Sequence, residues 1–157
     1  MAKIPLTKEG YTKLQEELRN LINKQRPKII EEIAEARSHG DLSENAEYQY
    51  AKEQQSLIEG KIVDLETIIS QVEVINIFKL SGNEIKFGAK VKIKDVDTGE
   101  QSNYQIVGEY ESDIENNKLS INSPLARALI GKRKNNIVEV NSPKGIKNFT
   151  IISVKYN

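Results

Sequence analysis

The chain has 157 residues, with 23 Lys plus Arg against 23 Asp plus Glu, so its formal net charge is zero. That length allows one ordinary domain or two small ones, and neutrality argues against coating nucleic acid or membrane by bulk positive charge. The absence of Cys removes disulfides and thiolate metal sites. A mean hydropathy of −0.54, no signal-peptide core and no apolar run of membrane length point to a soluble, cytoplasmic protein.

The first half reads as helix. Thr7 is a good N-cap, with Leu6 and Tyr11 at the spacing of a hydrophobic staple. Apolar and neutral positions then recur at Tyr11, Leu14, Leu18, Leu21, Gln25, Ile29, Ile33 and Ala36, the three–four step of a coiled-coil seam. After the polar stretch 38–43, a second seam runs through Tyr50, Gln54, Ile58, Ile62, Leu65, Ile69 and Val72. The two are mirror images. Tyr11 matches Val72, Leu14 matches Ile69, and every pair down to Ile33 with Tyr50 has residue numbers that add to 83. The mirror predicts a long antiparallel coiled-coil hairpin with its apex at Asp41 and Leu42. Arms of roughly 30 residues at about 1.5 Å each make it about 45 Å long. Pro27, which has no N–H and crowds the preceding turn, predicts a kink or local irregularity.

The character changes after Val74, which divides the chain into residues 1–78 and 79–157. Residues 76–88 read as a linker. A strand is predicted over 89–94, a turn at Asp97-Thr98-Gly99, and strands over 104–107 and 119–122. Ser123-Pro124 opens a short helix that Gly131 closes. A final hairpin joins 137–140 to 149–154 through Ser142-Pro143-Lys144-Gly145. The fold class is therefore α+β: a helical hairpin followed by a small, mostly antiparallel β-sheet domain with one short helix. The neutral total hides an asymmetry. Residues 1–78 carry 10 bases and 14 acids, net −4, and residues 79–157 carry 13 bases and 9 acids, net +4.

Few residues suit chemistry. The single histidine, His39, gives neither a nucleophile–base pair nor a zinc site, and no Gly-rich phosphate loop is present. The acids at the apex remain: Asp41, Glu44 and Glu47, with no Lys or Arg between Ser38 and Glu47. On a helical first turn Asp41 and Glu44 would lie on one face about 5–6 Å apart, close enough to share one Mg²⁺. The same four residues, Asp41-Leu42-Ser43-Glu44, also form a capping box with Asp41 as N-cap and Glu44 as N3. Two exposed carboxylates hold Mg²⁺ poorly unaided. On the metal reading the tip therefore completes a site in a partner. Arg37 and Lys52 flank the acids, either as solvated helix positions or as a phosphate contact. Lys90, Lys92 and Lys94 alternate along one strand face, and Lys132-Arg133-Lys134 marks a loop.

The run Ala36-Arg37-Ser38-His39-Gly40-Asp41-Leu42-Ser43-Glu44-Asn45-Ala46-Glu47-Tyr48 closely resembles the tip signature of the Gre transcript-cleavage factors. Pro5-Leu6-Thr7-Lys8-Glu9-Gly10-Tyr11 and Ser123-Pro124-Leu125-Ala126-Arg127-Ala128-Leu129-Ile130-Gly131-Lys132 resemble the family as well, so the likeness spans the chain. The resemblance implies an elongation factor that is not itself an enzyme. It would bind bacterial RNA polymerase and insert the coiled coil through the secondary channel. There it would stimulate the polymerase's own cleavage of backtracked RNA.

By motif match, Asp41 and Glu44 are the catalytic carboxylates that share the polymerase's Mg²⁺, with no cofactor bound stably to the factor alone. Arg37 and Lys52 would contact the RNA 3′ end transiently. The second domain would be FKBP-like and would dock on the polymerase rim through Ser123, Pro124 and Leu125. No membrane and no small-molecule substrate are implied. Asn135-Asn136 departs from the acidic or Gly-Asp turn usual in the family. Two other classes compete: a prolyl isomerase or chaperone-like module built on the second domain, and a purely structural coiled-coil protein.

Overall fold

The computed structural model describes residues 3–40, 45–77 and 80–156. The architecture is α+β: a long helical region precedes a curled, mostly antiparallel sheet. The chain divides into two units, one containing Tyr11–Val72 and the other Ile4–Gly10 with Glu73–Asn157.

In the helical unit, α1 (Lys8–Asn20) continues through a π-helical turn (Leu21–Gln25) into α2 (Arg26–Arg37), and α3 (Ala46–Ser70) returns. Two contacts fix the antiparallel sense. Asn45, at the start of α3, meets Ala36 near the end of α2, and Arg26, at the start of α2, meets Glu59 further along α3. Leu14, Leu21, Ile29 and Ala36 are buried on the outgoing strand of the seam, and Ala51, Ile62 and Leu65 on the returning one.

The irregularity at Pro27 takes the form of the π turn. Pro27 sits in the first turn of α2, where its missing N–H is harmless. The wider turn just before it closes with the Arg26 N–H donating to the Leu21 carbonyl, five residues back. That extra residue shifts the helical phase. Gln25, assigned to the seam from its spacing, is exposed, and Ile29 restores the apolar face. A second correction lies near the apex: Tyr50 is 62% exposed, and the buried position is Ala51. Small residues bury there, at Ala36 and Ala51, close to the Asn45–Ala36 contact. Among the described residues no helix is long and apolar enough to cross a membrane.

The second unit holds β1 (Ile4–Thr7) paired with β2 (Val72–Ile75), and a five-stranded sheet in the order β5–β4–β3–β7–β6. These strands are β3 (Lys90–Asp95), β4 (Gln101–Val107), β5 (Lys118–Ser120), β6 (Ile137–Ser142) and β7 (Gly145–Lys155). The short helix α4 (Pro124–Leu129) covers one face. Its Ala126 and Leu129 join Val91, Ile93, Ile106, Val138 and Ile151 in a single core. The turn Asp97-Thr98-Gly99 forms as expected, with the Asp95 carboxylate accepting from the Asp97 and Thr98 N–H groups at 2.8 and 3.2 Å.

The sheet is mostly antiparallel, as expected, with β4 and β5 as its one parallel pair among the described strands. Two features differ from the sequence reading. The described part of residues 76–88 does more than link. Ile85 is fully buried and exchanges backbone hydrogen bonds with Gly131 and Lys132 at 2.9 and 2.8 Å. Ile4–Thr7 is a strand of the second unit, with Leu6 fully buried. Thr7 still caps α1, its hydroxyl accepting from the Gly10 N–H at 3.1 Å. Asn135 adopts φ 73°, a region asparagine tolerates, and the Asn136 side chain accepts from the Arg133 N–H at 2.8 Å. The Asn-Asn turn is therefore fully used.

Candidate functional site

The helical apex is built from the ends of α2 and α3. Helix α2 ends at Arg37, and Ser38 turns back with its hydroxyl donating to the Glu35 carbonyl at 2.5 Å. The His39 and Gly40 N–H groups donate to Ala36 and Arg37 at 3.2 and 3.4 Å. Gly40 then leaves at φ 107°, open to glycine and closed to most side chains.

The return begins at Asn45. Its Oδ1 accepts from the Tyr48 N–H at 3.1 Å, making it the N-cap of α3, while its Nδ2 donates to the Ala36 carbonyl at 2.6 Å. One amide thus satisfies an orphan donor of α3 and an acceptor at the end of α2. The cap of α3 is Asn45, and the capping box read at Asp41-Leu42-Ser43-Glu44 lies outside the described residues. His39 Nδ1 lies 3.2 Å from Glu47 Oε2, an exposed pair that is ionic when the imidazole is protonated. The third acid of the apex is thereby engaged with its only histidine.

Asp41 and Glu44 lie outside the described residues. The segment that carries them is bounded by Gly40 on one side and the Asn45 amide on the other. Arg37 and Lys52 are both exposed, and Lys52 Nζ donates to Gln55 Oε1 at 3.2 Å. Further down the helices, Arg26 forks onto Glu59 with Nε–Oε1 and Nη2–Oε2 distances of 2.8 and 2.7 Å. The bond to Glu59 raises the Arg26 pKa above its ordinary value. Among the described residues, no group of three or more His, Asp or Glu is arranged to hold a metal ion. Two hard carboxylates such as Asp41 and Glu44 suit Mg²⁺ chemically, as a partial ligand set.

The second predicted contact, in the other unit, is the start of α4. Ser123 is its N-cap, accepting from the Ala126 N–H at 3.2 Å and donating to the Ser120 carbonyl at 2.7 Å. Pro124 is exposed, whereas Leu125 is half-buried against the core and spends much of its surface inward.

Sequence reasoning missed Asn45 as the amide joining the two helices. Asn followed by the Ala46-Glu47 helix start was the available signal for its cap. Its second bond depends on the position of Ala36, which only the folded pair supplies.

Comparison with known proteins matches residues 4–74 to the family described as "Transcription elongation factor, N-terminal" and residues 80–156 to "Transcription elongation factor, GreA/GreB, C-term". The chain is 54% identical over 156 residues to a transcription elongation factor GreA of Chelativorans sp., covering 99% of each chain. It is 55% identical over 154 residues to one of Rhizobium etli, covering 98% of each. A crystal structure of the GreA factor homolog 1 protein of Thermus thermophilus is 26% identical, with 98% of this chain and 99% of that one covered and a TM-score of 0.44. The chain belongs to the GreA/GreB family of transcription elongation factors.

Proposed function

We propose that the protein binds bacterial RNA polymerase, passes its helical apex through the secondary channel, and stimulates the polymerase's intrinsic cleavage of backtracked RNA. The family match over nearly the whole chain carries this reading. The factor is not the enzyme; the polymerase cuts its own transcript, in the cytoplasm. Asp41 and Glu44 would join the polymerase's ligands around its Mg²⁺ and bind none stably alone. Mg²⁺ bound there would supply positive charge for the leaving and attacking oxygens and lower the pKa of a bound water.

This chain's own residues do the presenting. The Asn45 amide ties the last turn of α2 to the first turn of α3, so the two helices that flank the acidic residues would enter the partner joined. Arg37 and Lys52 would hold the phosphates of the extruded RNA 3′ end by charge. Ser123, Pro124 and Leu125 would contact the polymerase rim, Pro124 with the most open surface of the three. An isomerase site would want an aromatic-lined pocket. The hollow on the sheet of the second unit instead has Tyr104 as its one aromatic among lysines and amides.

The test is cleavage of a labelled transcript in a stalled complex. Wild type should accelerate cleavage over buffer. Asp41→Ala should abolish the acceleration while still competing with wild type for the polymerase. Full activity of Asp41→Ala, or no acceleration by wild type, overturns the proposal.

A further inference from the structure

On β3 the buried residues Val91 and Ile93 alternate with Lys90, Lys92 and Lys94 on the opposite face of the sheet. Strand pairing surrounds that row with uncharged or cationic neighbours. Lys90 lies between Gln105 and Lys155, Lys92 between Asn103 and Ser153, and Lys94 between Gln101 and Thr150. Lys90 and Lys155 are thus directly opposed like charges, an arrangement that disfavours the sheet. No carboxylate among the described residues pairs with Lys90, Lys92 or Lys155. These three lysines line a hollow of about 440 Å³ that has no Asp or Glu in its wall.

We infer that this face binds the sugar–phosphate backbone of single-stranded RNA. Residues two apart on a strand are about 6.6 Å apart, so the row presents its charges at intervals suited to successive phosphates. Lys, Asn, Gln, Ser and Tyr are the side chains that commonly contact phosphate and sugar. A recess on a sheet face admits one strand, whereas a duplex is too thick to enter it. The choice of RNA rests on the amides. Asn103, Gln105, Asn116 and Asn117 in the wall each carry an acceptor as well as donors. Phosphate oxygens only accept, so they leave those carbonyls without a partner. A ribose 2′-hydroxyl donates to them, and DNA lacks it.

The experiment is fluorescence anisotropy of labelled oligonucleotides with the full chain, carrying Arg37→Ala and Lys52→Ala so that the apex contributes nothing. Single-stranded RNA should bind. Replacing Lys90, Lys92 and Lys155 together by Gln should weaken binding about 10- to 100-fold and lower the slope of log affinity against log salt by about 2, from roughly 0.7 per phosphate neutralised. Lys144→Gln, in the β6–β7 turn, should change neither. Asn103→Ala with Asn117→Ala should weaken RNA binding while leaving DNA of the same sequence unchanged. Absent RNA binding by the parent, an unchanged salt slope in the triple variant, or equal binding of DNA, duplex or polyglutamate overturns the assignment. Circular dichroism confirms that each variant is folded before it is scored.

Discussion

Thr7 gives its backbone N–H and its hydroxyl to the two oxygens of Glu111, at 3.0 and 2.6 Å. The same carboxylate accepts from the Gly108 N–H at 2.9 Å, and the Thr7 hydroxyl accepts from Gly10. Strand β1 is thereby fastened to a residue 104 positions away. Glu111→Ala should cost about 1–3 kcal/mol in urea unfolding, since it strands three donors at once. Gly10→Ala tests the same clamp sterically, because a Cβ there would lie 1.7 Å from Glu111 Oε2. Unchanged midpoints in both variants would show the clamp to be idle.

The revised seam makes opposite demands on neighbouring residues. Leu21→Ala and Ile62→Ala, each 2% exposed, should lose about 2–5 kcal/mol. Gln25→Ala and Tyr50→Ala should stay within about 0.5 kcal/mol of wild type, being exposed. A large loss at Tyr50 would restore the mirror near the apex, and one at Gln25 would contradict the phase shift at the π turn.

The apex amide can be separated into its two bonds. Asn45→Ala removes both and should cost about 1–2 kcal/mol of helix stability. Asn45→Asp keeps the acceptor for Tyr48 but loses the donor to Ala36. Hydrogen exchange at the Tyr48 amide should therefore quicken in the Ala variant and stay slow in the Asp variant. Equal exchange in both would remove Asn45 as the cap.

The α+β class, the antiparallel helices, the turn at Asp97-Thr98-Gly99 and the Ser123 cap follow from local signals: periodicity, caps and turn residues. What the sequence hid depends on partners far along the chain. Ile4-Pro5-Leu6-Thr7 has no strand pattern of its own and becomes one because β2 and Glu111 are there to receive it. Ile85 sits in a polar stretch, and only its bonds to Gly131 and Lys132 reveal a core position. The seam assignment at Gln25 failed because its spacing takes no account of the π turn at Leu21–Gln25, and at Tyr50 the buried place goes to its neighbour Ala51. At the apex the acids and basic flanks were legible as residues. The Asn45–Ala36 bond was not, because it joins two helices.

Tyr156 offers a pH readout. Its hydroxyl donates to the Glu84 carbonyl and accepts from the Lys86 N–H at 2.9 Å. Burial, the largest cause, raises its pKa above the ordinary value near 10, while the Lys86 N–H acts in the opposite direction. The folded state therefore holds the phenolic proton more tightly than the unfolded chain. That stabilisation is complete below about pH 10 and is lost as pH climbs through that value toward the folded pKa. Wild type should lose urea resistance as pH rises above about 10 more steeply than Tyr156→Phe. At neutral pH the Phe variant should be weaker by about 1–3 kcal/mol, with Lys86 and Glu84 left unpaired. Parallel pH curves would refute the assignment.

The clamp on β1 also sets an order of assembly during synthesis. The helices close through partners 9 and 33 residues apart, at Ala36–Asn45 and Arg26–Glu59, and need only the first half of the chain. Thr7 leaves the ribosome early, yet its partner Glu111 emerges more than a hundred residues later. Until then Leu6 has no core to enter, and the N-terminal segment waits while everything between is made. A nascent chain halted before Glu111 would carry finished helices and an unfinished second unit, and the unit begun first would be the last to close.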